Sequence, residues 1–95
     1  MPDWKTKTPR SKKYKQYIEG LECLVCGRSP VIACHTPLPG EGGTGIKVSD
    51  FRMIPLCNPH HQEQHRGFET FAAVHSLDYA REQIRLMERY ALMIE

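Results

Sequence analysis

The chain has 95 residues, of which 40% are hydrophobic and 8% aromatic, which suits one compact domain with a modest core. Seven glycines and seven prolines argue against a plain helical bundle, and the apolar runs are far shorter than the roughly 20 residues that a membrane span needs. No secretory signal is visible, so we expect a cytoplasmic protein. Its four cysteines are then more typical of metal ligands or buried thiols than of disulfides.

Positive charge is concentrated at the start of the chain, where six basic side chains and one acid fall between Met1 and Lys15. Such an arm suits a polyanion, because phosphates attract it whatever their sequence. A solubilising tail would have the same composition. We predict a disordered basic arm over residues 1–10, which lack an apolar period, and a single domain over residues 11–95.

The first half of that domain predicts a helix, a turn and a strand. The helix covers Lys12–Glu19, where Ser11 can cap its start and Gly20 can end it. A tight turn follows at 23–27, and the β-rich residues 31–35 predict a short strand.

The second half begins with a loop over 37–45 that is rich in glycine and proline, and a strand over 51–56. Asn58 is a good N-cap and Pro59 suits a first helical position, so a helix should start there and end near Gly67.

The last part predicts two more helical segments, the first over 68–74 and the second capped by Ser76. An apolar stripe recurs there at spacings of three and four, and we interpret it as core or as a dimer face. Its members are Leu77, Ala80, Ile84, Met87, Ala91 and Ile94. The element order as a whole indicates the α+β class.

Two ligand pairs predict a structural zinc site. Cys23 and Cys26 are separated by two residues, as are Cys57 and His60, and each pair can hold one side of a tetrahedral Zn²⁺. The other possibility is four buried groups that never meet. Cys34 could replace one ligand, but it has no paired neighbour, which favours a buried thiol beside the site.

A second group of side chains suits another metal. His61 and His65 are at i and i+4 and therefore share a helix face. Taken alone they could be two solvated histidines. Asp50 closes the loop before the second strand and His35 closes the first strand, which adds an oxygen ligand suited to Mg²⁺ or Mn²⁺ and another imidazole.

These motifs together resemble the HNH endonuclease superfamily with its ββα-metal core, and more narrowly small phage and prophage nucleases of the Ref (recombination-enhancement, RecA-dependent) and YbcO type. The resemblance covers about residues 11–75. It rests on Cys23-x2-Cys26, His35, Gly43-Thr-Gly-Ile-Lys-Val-Ser-Asp50, Ile54-Pro-Leu-Cys57 and His60-His61-x3-His65.

The resemblance implies a role for each matching residue. His35 stands at the general base, and Asp50 stands where the family has an asparagine that braces the loop of that base. As an aspartate, Asp50 could bind the metal instead. His61 stands at the final histidine, and His65 at a further metal position of some members. Many members carry a metal-binding His or Asp just before the base, where this chain has Cys34.

The resemblance therefore implies a zinc-stabilised ββα-metal core with flanking helices, and a metal-dependent hydrolase that cleaves DNA in recombination or DNA processing. Its implied partners are DNA and a RecA-type recombinase filament. Independently of the resemblance, the apolar stripe of the last helix suggests a homodimer. Neutral imidazole can take a proton from water, as phosphodiester hydrolysis requires.

Five basic residues are candidate DNA contacts, although each could equally be an ordinary solvated cation. They are Lys47, Arg52, Arg66, Lys12 and Lys13.

Two other functions compete with this one. A zinc-stabilised DNA-binding or adaptor module without catalysis would keep the four zinc ligands and leave His35, Asp50, His61 and His65 without a role. A redox protein that uses the two thiols of the CxxC turn is disfavoured, because no βαβ pattern surrounds them.

Overall fold

A computed structural model describes residues 10–38 and 48–95 of the chain. The described part is a small α+β fold, as the sequence predicts. The predicted basic arm up to residue 9, most of the glycine-rich loop and Lys47 lie outside the described residues. The elements are α1 (Lys12–Glu19), β1 (Ile32–His35), β2 (Met53–Leu56), α2 (Asn58–Arg66), α3 (Phe68–Val74) and α4 (Tyr79–Ile94).

Helix α1 begins and ends where its capping residues predict. The Ser11 hydroxyl accepts a hydrogen bond of 3.1 Å from the backbone N–H of Tyr14, and Gly20 is the C-cap. Tyr14 and Ile18, four residues apart, are fully buried and form the inner face of the helix. Tyr14 also packs on the ring of Phe51, with 4.9 Å between the ring centroids. This contact holds α1 against the segment that leads into β2.

Strands β1 and β2 pair antiparallel, with Ile32 opposite Leu56 and His35 opposite Met53. Every residue of β2 is buried, whereas His35 is exposed at the end of β1. Pro55 is tolerated within β2 because each strand has only one partner in the described part of the chain. The hairpin therefore buries one strand in the core and presents His35 at its rim.

Helix α2 starts directly after β2. The prediction of Asn58 as its N-cap is wrong by one residue. Cys57 is the N-cap, its carbonyl oxygen accepts the His61 N–H at 2.8 Å, and Pro59 lies in the first turn. Gly67 ends the helix as predicted. Because the cap is Cys57 itself, one of the predicted metal ligands stands at the junction of strand and helix.

Helix α4 differs from its prediction at its start. Its N-cap is Asp78, whose carboxylate accepts the N–H of Arg81 at 3.1 Å. Ser76, the predicted cap, lies in the connection between α3 and α4 with a φ of 54°. A carboxylate two residues further along the chain has therefore taken the capping role.

The apolar stripe of α4 is only partly buried. The deeply buried residues of this helix are Gln83 and Leu86, at 1% exposure each, whereas Ile84 and Ile94 are 54% and 62% exposed. Gln83 is buried because its Nε2 atom donates to the carbonyl oxygen of Thr36 at 2.6 Å. The core part of that interpretation is therefore wrong for Ile84, Ala91 and Ile94, but Leu77 and Met87 do pack against the core. The dimer face stays a prediction. No helix of the described residues is long and apolar enough to cross a membrane.

Candidate metal centre

The turn that carries the first ligand pair is fixed by backbone hydrogen bonds. The Cys23 N–H donates to the carbonyl of Arg28, and the Gly27 N–H donates to the carbonyl of Cys23, each at 2.9 Å. Gly27 has a φ of +73°, a conformation that favours glycine. The Leu24 N–H donates to the carbonyl of Pro55 at 3.1 Å. This last bond joins the turn to the end of β2, directly before the second ligand pair.

The two ligand pairs meet as predicted. The ligand atoms of Cys23, Cys26, Cys57 and His60 all lie within 4.8 Å of one another. The Nδ1 atom of His60 is 3.1 Å from the Cys57 sulfur and 3.6 Å from the Cys23 sulfur, and the sulfurs of Cys26 and Cys57 are 3.6 Å apart. Three sulfurs and one imidazole nitrogen form a donor set that fits a tetrahedral metal such as zinc. This cluster could hold such an ion.

The electrostatics of the cluster also suit a cation. Burial acts to raise the pKa of Cys23, but backbone N–H groups that point at its sulfur, with the neighbouring thiol of Cys26, lower it to about 6. Burial raises the pKa of Cys57, and the other thiols add to this. Anionic sulfurs this close repel one another unless a positive ion lies between them.

Cys34 lies outside the cluster. It is 3% exposed, and its sulfur donates to the carbonyl of Ile32 at 3.4 Å. Burial raises the pKa of Cys34 to about 12, so its thiol stays protonated at neutral pH. This geometry agrees with a buried thiol beside the site.

A further group adjoins the cluster and was not predicted from the sequence. Ligand atoms of His60, Glu63 and His75 lie within 4.8 Å of one another. The Nε2 atom of His75 is 2.8 Å from Oε2 of Glu63, and the rings of His75 and His60 meet edge to face with 5.4 Å between their centroids. Glu63 could have been found from its i, i+3 spacing to His60 on α2. His75 follows α3 and gave no signal.

His35 and Asp50 form a pair at the rim of the hairpin. The Nε2 atom of His35 is 3.0 Å from Oδ1 of Asp50, and the side chain of His35 is 40% exposed. The Asp50 carboxylate also accepts the Ser11 N–H at 2.9 Å and Nη1 of Arg10 at 3.1 Å. The sequence predicted Arg10 only as one of the positive charges of the N-terminal arm, and no sequence pattern indicated its contact with Asp50.

These donors keep Asp50 ionised. Burial acts to raise the pKa of Asp50, but the hydrogen bonds from His35, the Ser11 N–H and Arg10 outweigh it, so this pKa lies below its usual value. A carboxylate accepts and does not donate, so the proton of the pair lies on Nε2 of His35. In the neutral form of the ring, the other nitrogen, Nδ1, carries the lone pair.

The three predicted ligands of the second metal do not come together. His61 and His65 meet through their Nε2 atoms at 2.9 Å, as the i, i+4 spacing predicts. Asp50 is instead engaged by Arg10, Ser11 and His35, and no group of three metal-ligating side chains in the described ranges contains Asp50, His61 or His65. Burial, with repulsion from His65, lowers the pKa of His61, so His61 is neutral and can offer a lone pair at neutral pH.

Three of the five candidate DNA contacts are exposed. Lys12 and Lys13 are exposed on the first turn of α1, and Arg66 is exposed at the end of α2. Arg52 is half-buried, and its carbonyl accepts the Thr36 N–H at 2.6 Å. Lys47 lies outside the described residues.

Comparisons with known proteins place the chain in a family. No solved structure matches it. "Uncharacterized protein YdfU" of Escherichia coli (strain K12) is 35% identical to it over 60 residues, which are 63% of this chain and 17% of that protein. The chain thus covers less than a fifth of the length of this relative. Residues 1–93 match a sequence family, and on that match the chain belongs to the family described as "Protein of unknown function (DUF968)".

Proposed function

We propose that the protein is a metal-dependent DNA endonuclease of phage or prophage origin, which acts in recombination or DNA processing. The observation that supports this most directly is the His35–Asp50 pair, 3.0 Å between Nε2 and Oδ1, at the exposed end of the hairpin. The hairpin runs directly into α2, and α2 carries the His61–His65 pair. The HNH resemblance implies a two-stranded hairpin followed by a helix, with functional histidines on the hairpin and on the helix.

In this proposal His35 is the general base. Asp50 fixes the tautomer that leaves a lone pair on Nδ1, and Nδ1 takes a proton from the attacking water. The water oxygen bonds to phosphorus, and the bond from phosphorus to the 3′-oxygen breaks. The departing 3′-oxygen takes a proton from solvent, so the products are a 5′-phosphate and a 3′-hydroxyl. Asp50 stabilises the imidazolium that forms on His35, because its negative charge lies 3.0 Å away.

His61 and His65 are the proposed ligands of the catalytic divalent ion, Mg²⁺ or Mn²⁺. Bound there, the ion would supply positive charge for the scissile phosphate and the departing oxygen. Since Asp50 is engaged by His35 and Arg10, we assign it to the base and not to this ion. The chain then contributes two imidazole ligands and no oxygen, a donor set that does not by itself fit Mg²⁺ or Mn²⁺, so water and phosphate oxygens would have to complete the site.

Cys23, Cys26, Cys57 and His60 are the proposed ligands of a structural Zn²⁺. They tie the turn before β1 to the start of α2, and so they bracket the whole hairpin. A small domain gains folding free energy from such a closure. In this arrangement the zinc holds α2, and with it the His61–His65 pair, next to the strand that ends in His35.

Cleavage of DNA by wild type and by His35→Ala tests the proposal. Supercoiled plasmid is incubated with Mg²⁺ or Mn²⁺, with and without a RecA-type filament, and nicked product is measured. We expect nicking by wild type and a loss of about 10²-fold or more in the variant. Gln62→Ala is the control, because it alters an exposed side chain of α2 and should cleave normally. Absence of nicking by wild type under every condition would refute the enzyme.

The second candidate is a zinc-stabilised DNA-binding or adaptor module without catalysis. One observation favours it: Asp50 does not join His61 and His65, so among the described residues only two of the three predicted ligands of the catalytic metal meet. This candidate predicts that DNA binds without cleavage, and that His35→Ala leaves binding unchanged. The same plasmid experiment, combined with a measurement of DNA affinity, separates the two.

A further inference from the structure

The residues next to the zinc ligand His60 suggest that the metal centre extends beyond its four ligands. An imidazole has two ring nitrogens, and Nδ1 of His60 faces the sulfurs of Cys57 and Cys23 at 3.1 and 3.6 Å. A histidine that binds a metal through one nitrogen carries a proton on the other, and that N–H usually donates to a carboxylate, a carbonyl or a water.

Glu63 is placed to receive that proton. It lies one turn after His60 on α2, and a carboxylate oxygen of Glu63 is within 4.8 Å of a ring nitrogen of His60. Such a distance is closed by a small rotation of the side chain or by one bridging water. His75 approaches from the end of α3 and holds the carboxylate with a hydrogen bond of 2.8 Å from Nε2 to Oε2.

Packing restricts how these groups can move. The rings of His75 and Phe71 lie 4.6 Å apart between centroids, and Phe71 is 1% exposed. The side chain of His75 is itself only 20% exposed. The carboxylate of Glu63, whose side chain is 40% exposed, is therefore held by a ring that packs on a core residue.

We propose that Glu63 and His75 are positioning residues of the metal centre: Glu63 accepts the Nε2–H of His60, directly or through one water, and His75 holds Glu63 in place. The pair thereby fixes the tautomer of His60 that presents Nδ1 to the metal. This inference rests on the zinc site of the proposed function and is independent of nuclease activity.

Metal affinity tests the proposal. Co²⁺ bound by thiolates gives charge-transfer absorption, so its displacement by Zn²⁺ reports on the cysteine-containing site alone. We expect Glu63→Ala to weaken zinc binding about 10- to 100-fold, His75→Ala to weaken it less, and Glu63→Gln to lie between Glu63→Ala and wild type. The matched control is Glu69→Gln, which removes an exposed carboxylate from the neighbouring helix α3 and should bind like wild type.

A second measurement needs no variant to fold. In the zinc-loaded wild-type protein, the imidazole N–H of His60 should give a proton resonance protected from solvent exchange, assigned to Nε2 through its ¹⁵N shifts. A freely exchanging Nε2–H would overturn the proposal, as would Glu63→Ala binding zinc within twofold of the control. Loss of a second equivalent of zinc in Glu63→Ala, with the first unchanged, would overturn it in favour of a separate ion site at His60, Glu63 and His75. If Cys26→Ser also left zinc binding unchanged, the zinc centre itself would be wrong.

Discussion

The carboxylate of Asp50 and the imidazole of His35 form one pair, with 3.0 Å between Oδ1 and Nε2 across a separation of 15 residues. Both residues stand at the same end of the hairpin, one closing β1 and the other preceding β2. Two further donors, Arg10 and the Ser11 N–H, converge on the same carboxylate. The N-terminal end of α1 thus helps to position Asp50. The hydrogen bond between Asp50 and His35 in turn keeps the proton of the pair on Nε2 of His35.

Substitution of Asp50 should affect cleavage through His35. Asp50→Ala removes the acceptor of the Nε2–H, so the ring is free to change tautomer and the imidazolium loses its counter-charge. We expect a fall in the cleavage rate of about 10²-fold. Asp50→Asn keeps an acceptor oxygen without the charge and should fall less. Single-turnover nicking of plasmid measures both. Equal rates for wild type and Asp50→Ala would contradict the bracing role.

The same carboxylate should make stability depend on pH. The pKa of Asp50 is lower in the folded chain than its usual value, so its ionised form stabilises the fold above the unfolded-state pKa, near 3.9. That contribution is lost as the pH falls through the folded pKa. The difference in free energy of unfolding between wild type and Asp50→Asn should therefore shrink as the pH falls below about 5. Urea titrations of both proteins at each pH measure this difference. Because both proteins lose bound metal on acidification to the same extent, that loss cancels in the difference. A difference that grows as the pH falls from about 5 to about 3 would contradict this sign.

Cys26 offers the cleanest test of the structural zinc. Cys23 and Cys57 are buried, whereas Cys26 is exposed, so Cys26→Ser removes a ligand without opening a cavity in the core. We expect the variant to lose bound zinc and to be largely unfolded at neutral pH, because structural zinc supplies folding free energy. Cys34→Ala is the matched control, since it deletes a buried thiol outside the cluster and should keep one zinc per chain. Metal analysis and circular dichroism measure both outcomes. A folded, zinc-free Cys26→Ser protein would rule out the structural role.

Local signals in the sequence predicted the features that local physics determines. The spacing of the cysteines and of His60, and the cap of α1 at Ser11, were enough to predict the four-ligand cluster and that helix. The i, i+4 rule predicted that His61 and His65 meet.

Features that depend on contacts between distant segments were missed or misjudged. The burial of Gln83 depends on a hydrogen bond to Thr36, 47 residues away, so the apolar period of α4 did not predict Gln83 on the inner face, although Met87 of the stripe does pack against the core. Asp50 was assigned to a metal because its contact with Arg10, 40 residues away, has no signature in the sequence. His75 reaches the metal centre only through the packing of α3 on α2.

The basic arm should show its role in the salt dependence of DNA binding. Deletion of residues 1–9 removes Lys5 and Lys7 but keeps Arg10 on Asp50. The slope of log Kd against log salt should then fall by up to about 0.9 for each phosphate that the arm no longer neutralises, and affinity should fall most at low salt. Deletion of residues 1–4 is the control, because it removes no basic side chain. Fluorescence anisotropy with labelled duplex DNA gives the slopes. Identical slopes for the two deletions would assign the arm to solubility.

The exposed part of the α4 stripe tests the predicted homodimer. Ile84 is 54% exposed, and in a two-fold interface each copy of this residue would face the same patch on the partner. Ile84→Glu would place one glutamate from each copy in that interface. The free energy needed to bury these two charges should convert a dimer to monomers. Val74→Glu is the control, because Val74 is similarly apolar and 65% exposed but lies on α3, outside the stripe. Sedimentation equilibrium should show a dimer for wild type and Val74→Glu and a monomer for Ile84→Glu. A monomeric wild type at every concentration would mean that the stripe is not a self-association surface.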